Sequence, residues 1–188
     1  MREKLAVFFP GRKYSVDCPL LYFTDFICKE KGYETKYLHY AAYREEKSRN
    51  TIEQDVNRAE EEVMAVLDGI DFSKYQEILF VSKSIGTVLA AKAQEKYQLT
   101  VRNVYFTPLE PTLPYLRSLR RNTPEENLII AGTKDPFLEA SVLKEVCEAE
   151  NLPLHQFTGL GHSMETEHVM ESLDTLKKIM SIVQDFLK

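Results

Sequence analysis

The pentapeptide Ser82-Lys83-Ser84-Ile85-Gly86 puts a serine hydroxyl directly after Ile78–Ser82, the strongest apolar run of the chain. A hydroxyl there is a weak nucleophile by itself. It needs a base within hydrogen-bond reach, and that base needs an acid to hold its tautomer. Two later segments offer these groups. Thr158-Gly159-Leu160-Gly161-His162-Ser163 sets a histidine in a glycine-bounded loop, free to reach across toward Ser84. Gly132-Thr133-Lys134-Asp135-Pro136 sets an aspartate before a proline, which disfavours helical geometry at Asp135 and keeps it in the loop. The chemistry such a set can do is nucleophilic attack on an acyl carbon. Each member also has a plainer use: Ser84 can cap a helix starting near Ile85, Asp135 can cap a helix that Pro136 begins, and His162 can be a solvated loop residue. The other histidines suit the role less, since His155 lies inside an apolar run, His39 ends an early one, and His168 falls near the last helical region. His162 and His168, with Glu165 and Glu167 nearby, lack the H-E-x-x-H spacing that puts two metal ligands on one helical face.

These residues depend on elements that can bring them together. Lys4–Phe9 is a short apolar run ended by Pro10-Gly11, and it reads as a buried strand. Asp17-Cys18-Pro19 opens a helix with Leu20, Leu21, Phe23, Phe26 and Ile27 as its apolar positions, and Gly32 ends it in a left-handed cap. Thr35–His39 is a second strand. Thr51 and Gln54 form a capping box before a helix carrying Ile52, Val56, Ala59, Val63 and Val66. Ile78–Ser82 is continuously apolar, like a strand covered on both faces. It runs straight into helical spacing at Ile85, Val88, Leu89 and Ala93. Val101–Phe106, Leu128–Ala131 and Leu154–Phe157 complete six strands. A Pro-rich link with a short helix at Tyr115–Leu119 lies between the first two of these, and a helix marked by Leu138, Val142 and Val146 precedes the third. Leu173 to Phe186 marks a long final helix. Strands alternating with helices predict an α/β fold: a three-layer α/β/α sandwich around a mainly parallel six-stranded sheet, in one domain over residues 1–188. Gly11, Gly86, Gly132, Gly159 and Gly161 all fall just beyond predicted strands, on the edge where open parallel sheets bind ligands.

The strand–Ser82-Lys83-Ser84-Ile85-Gly86–helix unit resembles the nucleophile elbow of the α/β-hydrolase superfamily, whose pattern is G-x-S-x-G. Gly86 matches the pattern and Ser82 departs from it, with a residue still small enough for strand and helix to approach. The resemblance covers nearly the whole chain. It implies a triad in the order Ser84, Asp135, His162, each in the loop after its own strand, and an oxyanion hole of two backbone N–H groups. The first donor would be Ile85 and the second Arg12, in the loop Phe9-Pro10-Gly11-Arg12, where the family often carries His-Gly. The implied activity is that of a serine hydrolase cleaving a small carboxylic ester or thioester through an acyl-enzyme. An acyltransferase using the same triad, and a non-catalytic binding protein on the same fold, are the alternatives. The short Pro-rich link leaves little chain for a lid, so a shallow, open site for small acyl groups is expected.

Composition narrows the rest. The 188 residues suffice to bury roughly 70% of the unfolded surface, and 44% hydrophobic with 28% charged residues is ordinary globular usage. A net charge of −5 argues against a nucleic-acid partner. No apolar run approaches the ~20 residues that span a bilayer, and Leu5–Phe9 is too short for a signal peptide, so a cytoplasmic protein without membrane partners is expected. Cys18, Cys28 and Cys147 lack disulfide or zinc spacing. Neither G-x-G-x-x-G nor a P-loop is present, and no cofactor or metal is implied. Arg12, Lys13, Lys83 and Lys134 fall on the active edge; they read either as attractors of an anionic substrate or as solvated surface charges.

Overall fold

The computed structural model describes residues 3–40, 51–118 and 126–188. Its apolar runs form β1 (Glu3–Phe9), β2 (Tyr33–Tyr37), β3 (Tyr75–Lys83), β4 (Arg102–Phe106), β5 (Asn127–Gly132) and β6 (Leu154–Phe157). Between and after them lie α1 (Pro19–Glu30), α2 (Ile52–Leu67), α3 (Ile85–Tyr97), α4 (Leu113–Leu116), α5 (Ala140–Ala149) and α6 (Val169–Phe186). All six strands pair parallel, in the order β2-β1-β3-β4-β5-β6. The chain therefore winds outward from β1 first to one side and then to the other. The reversal falls between β1 and β3, and at such a switch point the crossovers leave a crevice beyond the carboxyl ends of the strands.

Strand parity sorts the core into two layers. Leu5, Val7, Phe9, Ile78 and Phe80 face α2 and α3, while Tyr105, Ile129 and Ala131 continue that face toward α4 and α5. Ala6, Phe8, Leu79, Val81, Val104, Phe106, Leu128 and Ile130 point the other way, onto α1 and α6. The central strands bury both parities, as their unbroken apolar runs require.

Local signals account for most element ends. The capping box at the start of α2 is formed: the Thr51 hydroxyl accepts from the Gln54 N–H at 3.2 Å, and the Gln54 amide oxygen accepts from the Thr51 N–H at 3.0 Å. Gly32 follows α1 with φ +81°, a left-handed conformation that a side chain would strain. Several expectations shift. Cys18, not Asp17, is the N-cap of α1, with Pro19 in its first turn. β2 begins two residues earlier than the Thr35–His39 reading, at Tyr33. The short helix is Leu113–Leu116 rather than Tyr115–Leu119, whose last residue lies outside the described residues. Leu138 packs in the core just before α5 rather than within it. Phe23 and Phe26 of α1, 44% and 48% exposed, are not on its packed face; Leu20, Leu21 and Cys28 are. Among the described residues no helix is long and apolar enough to cross a membrane.

Candidate active site

Ser84 directly follows β3 and sits at the N-cap position of α3 with φ 56° and ψ −122°. A non-glycine residue at positive φ stores about 1–3 kcal/mol of backbone strain, which the surrounding packing must offset. Gly86 makes that packing possible. A Cβ at position 86 would lie 2.0 Å from the Phe9 carbonyl oxygen and 2.7 Å from that of Pro10, so only glycine lets α3 start against the end of β1. Ser82 fills the other small position: it is fully buried, and its hydroxyl donates to the Val104 carbonyl at 3.2 Å, a partner that accommodates serine where the motif has glycine. The plainer reading of Ser84 as a capping side chain fails, because its hydroxyl makes no cap hydrogen bond.

That hydroxyl faces His162 instead, with Oγ 2.8 Å from Nε2. On the far side of the ring, Nδ1 lies 2.7 Å from Oδ2 of Asp135. An ionised carboxylate can only accept, so Nδ1 carries the proton, and the lone pair of Nε2 is left to accept from the serine. Asp135 does not cap a helix; α5 starts later, with Glu139 at its N-cap, and Pro136 stays in the loop. The second oxygen of Asp135 accepts from the Phe137 N–H at 2.9 Å, so a carboxylate whose side chain is only 3% exposed has a partner on each oxygen. The Phe137 ring meets the imidazole edge-on, its centroid 4.7 Å away. Burial holds the His162 pKa below the ordinary 6.5; the hydrogen bond to Asp135 opposes this, and the nearby charge of Lys83 adds to it.

The loops that carry Asp135 and His162 are laced together. The Thr133 N–H donates to the Phe157 carbonyl at 3.0 Å, the Lys134 N–H to Leu160 at 2.8 Å, and the Gly159 N–H to the Thr133 hydroxyl at 2.9 Å. A Cβ at Gly132 would lie 2.2 Å from the Leu160 carbonyl oxygen, so this glycine admits the histidine loop onto the end of β5. On the β1 side the buried Tyr40 hydroxyl donates to the Pro10 carbonyl, and the Gly11 N–H bonds the Tyr14 carbonyl at 2.9 Å.

A cavity of about 450 Å³ opens over the hydroxyl. Ser84, Ile85 and Arg12 all line it, with apolar cover from Ile52, Leu109 and Phe137. The four cations expected on this edge divide. Arg12 is paired through Nε with the buried Asp55 at 2.9 Å, Lys13 and Lys134 are exposed, and Lys83 is neither a surface charge nor solvated. The residue is 1% exposed, and its Nζ donates to the Thr107 hydroxyl at 2.6 Å and to the His162 carbonyl at 2.8 Å. Sequence reasoning missed the Arg12–Asp55 pair, Thr107 and the burial of Lys83. For Lys83 a signal existed, because a strand covered on both faces offers a lysine at its end no solvent-facing parity.

Comparison with known proteins agrees with the architecture. No protein-family model and no curated protein sequence matches the chain. Solved structures do match. An α/β serine hydrolase homologue from Coxiella burnetii aligns over 100% of this chain and 86% of its own at 14% identity, with a TM-score of 0.68. An α/β serine hydrolase without a lid from Xanthomonas campestris aligns over 97% of this chain and 80% of its own at 11% identity, TM-score 0.69. Est1E from Butyrivibrio proteoclasticus, with ferulic acid bound, aligns over 99% and 89% at 12% identity, TM-score 0.66. The chain has the α/β-hydrolase fold.

Proposed function

We propose that this protein is a serine hydrolase that cleaves a small carboxylic ester or thioester through an acyl-enzyme on Ser84. The observation that carries the reading is the unbroken hydrogen-bonded line from Asp135 through His162 to a serine held at positive φ. In the proposed cycle the acyl carbonyl sits over Ser84, Nε2 of His162 takes the hydroxyl proton as Oγ attacks, and Asp135 stabilises the imidazolium. The tetrahedral oxyanion is held by the N–H of Ile85 and, on the β1 side, by that of Arg12. His162 then gives its proton to the leaving group and activates the water that releases the acid.

Strain at Ser84 supports an enzyme over a binding module. A ligand-binding serine gains nothing from a backbone cost of this kind, whereas a nucleophile gains an exposed hydroxyl. The cavity volume falls in the range of small-molecule sites. Its cover of Ile52, Leu109 and Phe137 suits an uncharged acyl group, since Asp55 already answers the guanidinium of Arg12. Turnover of short-chain p-nitrophenyl esters and acyl thioesters by the parent and by Ser84→Ala tests the reading. Ser84-dependent hydrolysis of either substrate supports it, and equal turnover by the two proteins refutes it.

A further inference from the structure

Lysine is rarely buried without a reason, because its ammonium must give up its hydration. Here one lies at the motif position between Ser82 and Ser84, directly beside the proposed nucleophile. Its backbone is fixed by β3, which pairs with β4 from Leu79↔Arg102 to Lys83↔Phe106. Its side chain runs inward beside the ring of Tyr14, 5.0 Å from the centroid, and ends between the Thr107 hydroxyl and the His162 carbonyl. Thr107 is itself unusual: a β-branched residue, fully buried, at φ +45°. Its N–H is held by the Ile130 carbonyl at 2.7 Å. Strain at a β-branched residue persists only where the surroundings enforce it, and the product of this strain is a hydroxyl aimed at Nζ.

These contacts close a ring. From Ser84 the chain steps back one residue to Lys83, Nζ reaches the backbone of His162, and the imidazole of His162 returns to the Ser84 hydroxyl. We propose, resting on the serine-hydrolase reading above, that Lys83 is a positioning residue: its Nζ ties the histidine loop to the nucleophile's own strand and, over the acid limb where it is protonated, keeps a positive charge beside the imidazole. The charged and titratable groups around this pair are Asp135 on the loop after β5, Glu165 on the loop after β6, and Cys18 and Tyr14 between β1 and α1. Asp135 opposes Lys83 by favouring the imidazolium. Lys83 favours the neutral imidazole that accepts the serine proton.

The test uses Lys83→Met, which keeps length and loses the ammonium, with Thr107→Val and Thr107→Ser as companions. The readouts are kcat, KM and the pH profile of kcat/KM on an activated ester, beside the parent and Ser84→Ala. Lys83→Met is expected to lower kcat about 10- to 100-fold with KM little changed, as misplacement of a reacting group does. The acid limb of its kcat/KM profile is expected to move to higher pH, because the imidazole loses a neighbouring positive charge. Thr107→Val should fall roughly 3- to 10-fold, and Thr107→Ser, which keeps the hydroxyl, should stay near the parent. A folded Lys83→Met with parental kcat and an unmoved acid limb overturns the proposal. So does a fall in kcat with an unmoved acid limb, which marks a merely structural role. If Lys83→Met does not fold, the threonine pair decides, and equal rates for Val and Ser overturn the proposal. Failure of the parent to exceed Ser84→Ala is a different result; it removes the hydrolase reading itself.

Discussion

Replacing Lys83 by Met should change how stability depends on pH as well as how fast the site works. Desolvation pushes the folded-state pKa of Lys83 from its ordinary 10.5 down to about 7, against the attraction of Asp135. A lysine with a depressed folded pKa makes the unfolded chain bind more protons across that interval, so stability rises with pH from about 7 toward 10.5. Linkage between those two values gives a burial cost of ~5 kcal/mol near pH 6, where both states are protonated, and ~2 kcal/mol near pH 9. The parent should therefore gain roughly 3 kcal/mol relative to Lys83→Met between about pH 6 and pH 9. The absolute difference at one pH is less informative. Methionine leaves the Thr107 hydroxyl and the His162 carbonyl without Nζ, at about 1–3 kcal/mol for each group left unsatisfied. Urea unfolding of both proteins at the two pH values isolates the lysine together with the imidazole it perturbs, because titrations remote from this pair cancel in the difference. Parallel pH dependence for parent and variant would refute a buried, partly neutralised Lys83.

The other expectations are more local. Gly86→Ala and Gly132→Ala each place a Cβ within 2.0–2.2 Å of a carbonyl oxygen, and each should lose about 3 kcal/mol or more of stability, read from urea midpoints; a loss under 1 kcal/mol for either would contradict the close approach. The proposed cycle requires neutral His162, whose pKa burial lowers, so the acid limb of kcat/KM should have its midpoint below 6.5, and a midpoint above that value would contradict the environment described. Asp135→Asn should lower kcat by about 10³- to 10⁴-fold with the fold intact, because an amide no longer fixes the Nδ1–H tautomer; a loss under tenfold, with circular dichroism unchanged, would remove Asp135 from the triad. Because Asp55 neutralises Arg12 and Lys83 is buried, a neutral ester and its carboxylated analogue should be turned over with similar salt dependence. A strong preference for the anionic ester at low salt would show that Lys13 and Lys134 steer the substrate.

Much of this was legible in the chain because local rules and global fold agree. β3 announces itself by apolar residues on both parities, and the elbow by a serine with small neighbours at the next turn. Pro136 keeps Asp135 out of helical geometry, and the glycines around His162 leave its loop open to reach the sheet edge. Boundaries drifted where end signals were weak: Tyr33 and Glu34 look no more strand-like than their neighbours, and Leu138 satisfies a helical period while packing before the helix. What stayed hidden is pairing across distance. Nothing local ties Arg12 to Asp55, which are 2.9 Å apart in space and 43 positions apart in the chain. Lys83 misleads in another way. Its type argues for solvent, and only its place at the end of a two-sided strand argues for burial, so composition and position conflict at the residue nearest the proposed nucleophile.

The proposed catalysis requires that the hydroxyl of Ser84 be the group activated by His162. Incubation of the folded protein with a fluorophosphonate, followed by peptide mass spectrometry, asks this directly. The predicted result is a single adduct on Ser84, lost in Ser84→Ala and strongly slowed when His162 is replaced by Ala. An adduct on Ser82, whose buried hydroxyl is spent on Val104, or no adduct on the intact parent, would contradict it.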